Sequence, residues 1–225
     1  MTRSLRLFLL SSTALLCAGF LCASMADALA QAPAPANLNS QLLNAARQNE
    51  LAETRRLIAQ GAVVDSRNRL GKTALLLACE KGNDDMASAL LGAGADVNLA
   101  SVERVTPLMA ASYSGNAGLV RRLLGAGARA DPVDRMNKPA IVYAAGQGHA
   151  AALDALLAAG IDVNAVYAHD LTLLMWAAGQ GHVDAARLLL ARGARVDMRD
   201  DRGMTAIDIA RAAGQFAAAN SAGLR

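Results

Sequence analysis

The sequence predicts an all-α solenoid of helix-turn-helix units connected by loops or β-hairpins, and three observations lead to that prediction. Two series of glycines recur every 33 residues without insertion or deletion. Threonines keep the same period, with Pro139 in the one slot that lacks threonine, and a fixed period of this length is typical of a repeat architecture. The composition agrees, because 52 alanines and only 3% aromatic residues suit helices that approach one another closely. The three series are Gly82, Gly115, Gly148, Gly181 and Gly214; Gly61, Gly94, Gly127, Gly160 and Gly193; and Thr73, Thr106, Thr172 and Thr205.

The bulk composition excludes several classes of protein. A chain of 225 residues that is 54% hydrophobic is too apolar to be disordered. A formal net charge of +3 gives no basis for a nucleic-acid-binding or membrane-surface protein. The sequence has no His-Glu-x-x-His motif, no Cys-x-x-Cys pair and no nucleophile elbow. We therefore predict no catalytic residue, no metal site and no cofactor.

The N-terminus has the three parts of a secretory signal peptide. Arg3 and Arg6 form a basic start, Leu7 to Leu21 is apolar except for three hydroxyl residues, and Ala28-Leu29-Ala30 supplies small residues for cleavage. Residues 1–30 are therefore predicted to be removed after Ala30, which places the protein in the periplasm or outside the cell. The alternative is an uncleaved membrane anchor, although fifteen residues are short of the roughly 20 that span a bilayer.

The cysteine count and the overall composition indicate an exported bacterial protein with one thiol. After cleavage only Cys79 remains, so no internal disulfide is predicted, and its place in the first helix predicts a buried side chain rather than a redox sensor. The abundance of alanine, and of arginine over lysine, indicates a GC-rich bacterial genome. Residues 31–39 are rich in proline and asparagine and are predicted to be a flexible linker.

Each unit is predicted to contain two helices and a loop. In one unit Thr106 is placed to cap a first helix with Pro107 at its first position, and Gly115 suits the left-handed residue that ends it. Asn116 then caps a second helix that ends at Gly127. The loop residues at one recurring position are predicted to hydrogen-bond their own local backbone. They are Asp65, Asn98, Asp131, Asn164 and Asp197.

These motifs resemble those of the ankyrin repeat. The match is carried by the period, by the Thr-Pro-Leu-x-x-Ala opening at 106–111, by Gly-Ala-Asp-Val-Asn at 94–98, and by Gly-His at 148–149 and 181–182. The resemblance covers about Ser40 to Gly214 and implies an ankyrin-repeat domain over 40–225. Its units are an N-terminal cap at 40–67, repeats at 68–100, 101–133, 134–166 and 167–199, and a truncated C-terminal cap at 200–225. The family resemblance implies protein binding through the loop tips and the concave groove.

The sequence departs from the family pattern at three points. The usual histidine of the opening motif is replaced at every position, and we expect packing to replace its hydrogen bonds. Pro139 removes a side-chain cap worth about 1 kcal/mol. The last unit stops early, so its second helix is expected to be short or frayed. The residues in the histidine slot are Leu43, Leu76, Met109, Val142, Met175 and Asp208.

Some side chains that could bind a metal ion or a ligand, or could titrate, have two interpretations. His149 and His182 occupy equivalent slots, which favours a structural role over a metal pair. His169 lies at a loop tip, where it either titrates near neutral pH or is simply solvated. Trp176 shares the slot of Leu77 and Tyr143, which favours packing over a platform for a ligand.

The best candidates for binding are loop-tip and groove residues that the repeat does not dictate. Tyrosine, arginine and methionine are enriched at protein interfaces. The centre of the predicted surface is Tyr113, Met136 and Tyr167, with Arg135 beside them. The full set is Arg69, Lys72, Glu103, Tyr113, Arg135, Met136, Lys138, Tyr167, His169 and Arg202.

The sequence therefore favours a non-catalytic, exported adaptor or inhibitor that is monomeric and binds another protein. It predicts no nucleic-acid partner, and no membrane contact once the signal is cleaved. The alternatives are a membrane-tethered envelope scaffold and a support factor for a stress-defence enzyme. An enzyme would need acid-base or metal-ligating residues grouped in the groove, and the sequence shows no such group.

Overall fold

The computed structural model describes residues 35–224, and the predicted all-α repeat fold is confirmed there. Twelve α-helices follow one another, and no strand occurs in this range apart from one isolated bridge between Val166 and Thr172. The predicted signal peptide lies outside the described residues. The helices are α1 (Pro35–Gln48), α2 (Leu51–Ala59), α3 (Ala74–Glu80), α4 (Asp84–Gly92), α5 (Pro107–Ser114), α6 (Ala117–Gly125), α7 (Ala140–Gly146), α8 (Ala150–Ala158), α9 (Leu173–Gly179), α10 (Val183–Ala191), α11 (Ala206–Ala212) and α12 (Phe216–Ala222).

The chain from Leu38 onward forms one compact unit. Helix α1 begins at Pro35, so residues 35–39 of the predicted linker are helical rather than irregular. Proline suits the first helical position because the first N–H groups of a helix have no intrahelical partner. Among residues 35–224, no helix is long and apolar enough to cross a membrane.

The predicted caps set the ends of the helices. The Thr106 hydroxyl accepts a hydrogen bond from the Met109 backbone N–H at 3.2 Å, with Pro107 at the first position of α5. Gly115 ends α5 in the left-handed conformation, with φ of 77°. The Asn116 side chain accepts from the Leu119 N–H at 3.0 Å and starts α6. Because each cap satisfies a backbone group that the helix leaves unpaired, these short helices have sharp ends.

Small residues form the seam between neighbouring first helices. The alanine pairs at 110–111, 144–145 and 177–178 are all buried, which lets the backbones of α5, α7 and α9 approach closely. The core also contains fully buried leucines such as Leu75, Leu119 and Leu153. Cys79 is fully buried in α3, as predicted, and its burial raises the pKa of the thiol far above the ordinary value.

The two histidines in the equivalent slots have a structural role. The ring Nε2 of His149 lies 2.9 Å from the Tyr113 carbonyl oxygen, and that of His182 lies 2.9 Å from the Gly146 carbonyl oxygen. A carbonyl only accepts, so Nε2 is the donor in both contacts. Each histidine ties the start of a second helix to the end of the first helix in the preceding unit.

One expectation about the opening motif is wrong in part. The side chains that replace the family histidine were expected to act by packing alone. Instead, the sulfur of Met109 accepts from the Thr106 N–H at 3.4 Å, and the sulfur of Met175 accepts from the Thr172 N–H at 3.4 Å. Asp208 accepts from the Thr205 N–H at 3.1 Å. Sulfur is a weak acceptor, but it still pairs a buried N–H that packing would leave unsatisfied.

The structure shows the other two departures from the repeat pattern as the sequence predicts them. Pro139 starts α7 with no side-chain hydrogen bond to the helix, whereas the threonines at the equivalent positions all provide one. The last helix, α12, has seven residues, against nine in the other second helices of the repeats.

Candidate functional site

Five loops separate the helix pairs, and they contain most of the predicted binding residues. We number them L1 (60–73), L2 (93–106), L3 (126–139), L4 (159–172) and L5 (192–205). Each loop runs from the end of a second helix to the cap of the next first helix. Because the units repeat, equivalent atoms in neighbouring loops are placed to bond to one another.

The prediction that the recurring Asp and Asn residues bond locally is wrong for three of the five, because Asp65, Asn98 and Asn164 bond to the next loop. Asp131 and Asp197 do bond within their own loops. The Asn98 side chain in L2 accepts from the Arg129 N–H of L3 at 2.9 Å and donates to the Gly127 carbonyl at 3.2 Å. Asp65 in L1 accepts from the Asp96 N–H of L2 at 3.0 Å. The local turn is made by the residue two positions earlier, as when Asp96 accepts from the Asn98 N–H at 2.8 Å.

The loops also bond through their backbones near the tips. The Val102 N–H donates to the Leu70 carbonyl at 2.9 Å and links L1 to L2. In the same way, Arg135 donates to Glu103 at 3.3 Å between L2 and L3. Between L4 and L5, Asp201 donates to the His169 carbonyl at 3.2 Å.

The L3–L4 joint is different, because no hydrogen bond or ion pair connects these two loops within residues 35–224. Asp131 is the L3 residue at the position of Asn98, but its carboxylate pairs with Arg129 at 2.9 Å in its own loop. The neighbouring helices remain tied together by the His182–Gly146 contact and by an ion pair between Arg192 and Asp154. The two units joined at L3–L4 are therefore bonded to each other through their helices but not through their loops.

A cleft of about 710 Å³ opens where the two loops separate. One wall is L3 with the start of α7, and the other wall is L4. Burial, with a smaller effect from the Asp162 carboxylate, raises the pKa of the Tyr167 phenol in this cleft to about 12, so the hydroxyl is protonated at neutral pH. The lining residues are Ala130, Asp131, Val133, Asn137, Pro139, Ile141, Ala159, Gly160, Ile161, Val166, Tyr167 and Ala168.

Tyr167 also accounts for an irregular turn in L4. At the equivalent position the other loops have a short polar residue whose side-chain oxygen accepts from the turn N–H groups, as Asp134 does from Met136 and Lys138 at 2.8 and 2.9 Å. Tyrosine lacks this short acceptor. L4 instead has two consecutive left-handed residues, His169 with φ of 62° and Asp170 with φ of 53°. Such conformations store strain and are common at functional sites.

An aromatic row lies along the first helices beside the cleft. The Tyr113 and Tyr143 rings meet edge to face, with centroids 6.0 Å apart. The Tyr143 hydroxyl donates to the Asp134 carboxylate, and burial and this bond raise the pKa of the phenol above its usual range. The Lys138 ammonium lies 4.6 Å from the centre of the Trp176 ring, a cation–π contact. The row connects α5, α7 and α9.

The three residues expected at the centre of the binding surface differ in exposure. Tyr113 and Met136 are 56% and 64% exposed, whereas Tyr167 is half-buried in the cleft. Arg135 pairs with Glu103 at 3.4 Å. Met136 is at the tip of L3, and no ring contact connects it to Tyr113 within the described chain.

Most of the other predicted binding residues are paired. Lys72 contacts Glu80 at 2.6 Å, the His169 ring lies 2.9 Å from Asp201, and Arg202 contacts Asp200 at 2.7 Å. Arg69 is the exception and makes no hydrogen bond or ion pair within residues 35–224. A partner would have to compete with these pairs, but exposed ion pairs are worth only about 0–1 kcal/mol.

Tyr143 and Trp176 belong to this region, as does the buried Asp134 that accepts from the Tyr143 hydroxyl, and none of the three was among the predicted binding residues. Trp176 is half-buried and packs against the hydrophobic core, as the sequence favours, and Lys138 covers its ring. The signal was available, because Tyr143 and Trp176 occupy the same slot in consecutive units of a chain that has few aromatic residues. No group of three potential metal ligands occurs among the described residues.

Comparison with known proteins identifies the family. A family model described as ankyrin repeats (3 copies) matches residues 14–101, 94–167 and 141–221. The chain belongs to the ankyrin-repeat family. A crystal structure of EF0377, an ankyrin repeat protein, superposes with a TM-score of 0.73 and 26% sequence identity, covering 81% of this chain and 96% of that one. Ankyrin repeats are interaction modules, and their fold is typically a non-catalytic protein-binding scaffold.

Two curated relatives match over a shorter region. The mitochondrial disaggregases of Bos taurus and Homo sapiens are each 46% identical to this chain over 65 residues, or 29% of its length. The matching segment is 10% of the bovine protein and 9% of the human one. The match therefore covers only a small part of the length of those two proteins.

Proposed function

We propose that this ankyrin-repeat protein is exported and binds a partner protein through the surface made by L2, L3, L4 and the first helices α5, α7 and α9. The observation that carries the proposal is the aromatic row, together with the exposed Met136 in L3. Tyr113 and Met136 are more than half exposed, although the repeat does not require a large side chain at either position. Exposed aromatic and methionine side chains next to arginine are typical of the centre of a protein interface.

The distribution of aromatic residues supports this location. Of the five aromatic residues within 35–224, only Phe216 lies outside the units that contain the row and the cleft. The other four are Tyr113, Tyr143, Tyr167 and Trp176. Large aromatic side chains placed together on one surface of an otherwise alanine-rich array favour binding over a general structural role.

Export is supported by the N-terminal sequence: the basic start, the apolar run and the small residues at Ala28 and Ala30. The intact mass of the protein purified from its natural host tests this part of the proposal. A mature chain starting at Gln31 is expected. A full-length mass in the membrane fraction would contradict cleavage and favour the tethered scaffold.

Binding is tested by affinity capture from an envelope extract of the natural host, with Tyr113→Ala and Met136→Ala compared with the unchanged protein. Interface hot spots cost about 2 kcal/mol or more when truncated, so we expect roughly thirtyfold weaker binding of the captured partner by Tyr113→Ala. Val196→Ala is the control, because Val196 is an exposed apolar residue in L5, away from the row. Equal capture by all four proteins would contradict the proposed surface.

A further inference from the structure

The L2–L3 and L4–L5 joints flank the cleft, and their hydrogen bonds indicate which group the unpaired backbone atoms of the L3–L4 joint can bind. In L3, the Gly127 carbonyl and the Arg129 N–H are both held by the carboxamide of Asn98. In L5, the Gly193 carbonyl accepts from the Asn164 side chain at 3.1 Å, and the Arg195 N–H donates to it at 2.8 Å. At these two joints a glycine carbonyl and an N–H two residues later thus form a site for one primary amide, whereas at the L1–L2 joint the Asp65 carboxylate accepts from the Asp96 N–H alone.

The same pair of backbone groups occurs in L4 as the Gly160 carbonyl and the Asp162 N–H, one period after Gly127 and Arg129. Neither group has a hydrogen-bond partner within residues 35–224. Asp131 is the residue in the position of Asn98, and its side-chain carboxylate has no N–H to donate to a carbonyl. Its carboxylate is engaged by Arg129, which lowers the pKa of Asp131 and keeps it ionised.

Gly160 lines a cleft whose two walls carry several apolar side chains. Gly160 and Asp131 line the cleft together with Val133, Pro139 and Ile141 on one wall, and Ile161, Val166 and Tyr167 on the other. Val166 is 53% exposed, so the apolar wall is accessible from outside. A group that reaches the Gly160–Asp162 pair through the cleft therefore passes aliphatic and aromatic side chains.

We propose that the L3–L4 cleft binds a segment of a partner protein that presents an asparagine or glutamine carboxamide next to an apolar side chain. The carboxamide oxygen accepts from the Asp162 N–H and its amino group donates to the Gly160 carbonyl, as Asn98 and Asn164 do at the flanking joints. The apolar neighbour packs between Pro139 and Tyr167. This inference rests on the proposed function, because it identifies the chemistry of the partner.

The donor and acceptor pattern sets the specificity. A carboxylate would accept from Asp162 but would bring a negative charge beside the Gly160 carbonyl and the ionised Asp131. A lysine ammonium would donate to Gly160 but has no acceptor for the Asp162 N–H. Of these three groups only the carboxamide satisfies both backbone groups, and the site discriminates among them because an unsatisfied group is costly when water is displaced.

The test is an NMR titration of the 15N-labelled full chain with N-acetyl-leucyl-asparagine methylamide, and with the leucyl-aspartate analogue as control. For so small a probe, half-saturation is expected at about 1–10 mM, with the Asp162 amide proton moving downfield as it gains a hydrogen bond. The aspartate peptide is expected to bind at least about tenfold more weakly. Absence of a saturable shift at Asp162 up to about 50 mM, or equal shifts with both peptides, would overturn the inference.

Asp131→Asn provides the matched variant. Its new carboxamide is placed to bond Gly160 and Asp162 from within the chain, so peptide binding is expected to be lost while the melting temperature rises by about 2–4 °C. Asn164→Asp removes the carboxamide at the L4–L5 joint and is expected to leave binding at L3–L4 unchanged. Undiminished binding by a folded Asp131→Asn variant would show that the carboxamide site is not used.

The partner assay separates this inference from the proposed function. Loss of the captured partner in Tyr113→Ala but not in Asp131→Asn would leave the aromatic surface as the interface and refute the carboxamide site. Loss in both variants, together with the NMR result, supports both.

Discussion

Individual side chains at the turns connect one unit to the next, and glycine makes room for them. His182 reaches the Gly146 carbonyl by lying against the turn that contains Gly148. A Cβ atom on Gly148 would lie 2.6 Å from the His182 ring, a distance that real Cβ contacts essentially never show. Gly148 also has φ of 74°, which side chains disfavour. The glycine period of the sequence therefore reports close approach between units as well as helix ends.

At the residue scale, Gly148→Ala is expected to destabilise the protein more than Gly94→Ala. Both glycines have positive φ, so alanine at either position incurs about 1 kcal/mol of backbone strain. A Cβ at Gly94, however, would meet nothing within 4 Å. The clash with His182 adds at least about 1 kcal/mol at Gly148. Urea unfolding of the two variants measures the difference, and equal free energies of unfolding would show that the histidine moves aside without cost.

The elements were the part of the fold most easily predicted. Thr106, Gly115 and Asn116 are local signals, since a cap and a helix end depend on a few adjacent residues, and each lies where the sequence placed it. The departures at Pro139 and in the short α12 were also visible as breaks in the repeat. The irregular L4 turn was not foreseen, because its cause is the missing side-chain acceptor at Tyr167, and the role of that position is seen only in the other loops.

At the element scale, Pro139→Thr is expected to restore the cap of α7 and raise the melting temperature by about 2–4 °C. A cap contributes about 1 kcal/mol, and the extended backbone at Pro139, with φ of −79° and ψ of 170°, already matches that of the capping threonines. Thr106→Ala should give a decrease of similar size. An unchanged or lower melting temperature for Pro139→Thr would mean that proline contributes as much through its rigidity as the cap would.

On the scale of the whole array, the L3–L4 joint divides an otherwise regular series. The other three joints have both a side-chain bond and a backbone bond between their loops, whereas this joint has neither within the described residues. The cleft, Tyr167 and the aromatic row all lie at or beside it. Local breaks in a regular pattern are where function is expected, because stability does not explain them.

The rate of amide hydrogen exchange tests whether the L3–L4 joint is more open than the other joints. The Asp162 amide is expected to exchange about tenfold faster than the equivalent amides of Arg129 and Arg195, because only those two are held by a carboxamide of the preceding loop. Helices α7 and α9 on either side should remain protected, since their alanine seam is buried. Equal protection of the three loop amides would show that the joint is closed in solution.

The sequence by itself determined the repeat, its register, its helices and its family, because helix caps, turn glycines and a 33-residue period are encoded by near neighbours. It also directed attention to the loop tips and to Tyr113 and Met136. Only the tertiary structure decided that Asn98 and Asn164 bridge loops, that Asp131 does not, and that a cleft results. Those bonds connect atoms 29 to 31 residues apart, and their existence depends on how two units stack. The exchange of one amide for one carboxylate is inconspicuous in the sequence, but at Asp131 it removes the N–H donor that Asn98 and Asn164 supply at the flanking joints.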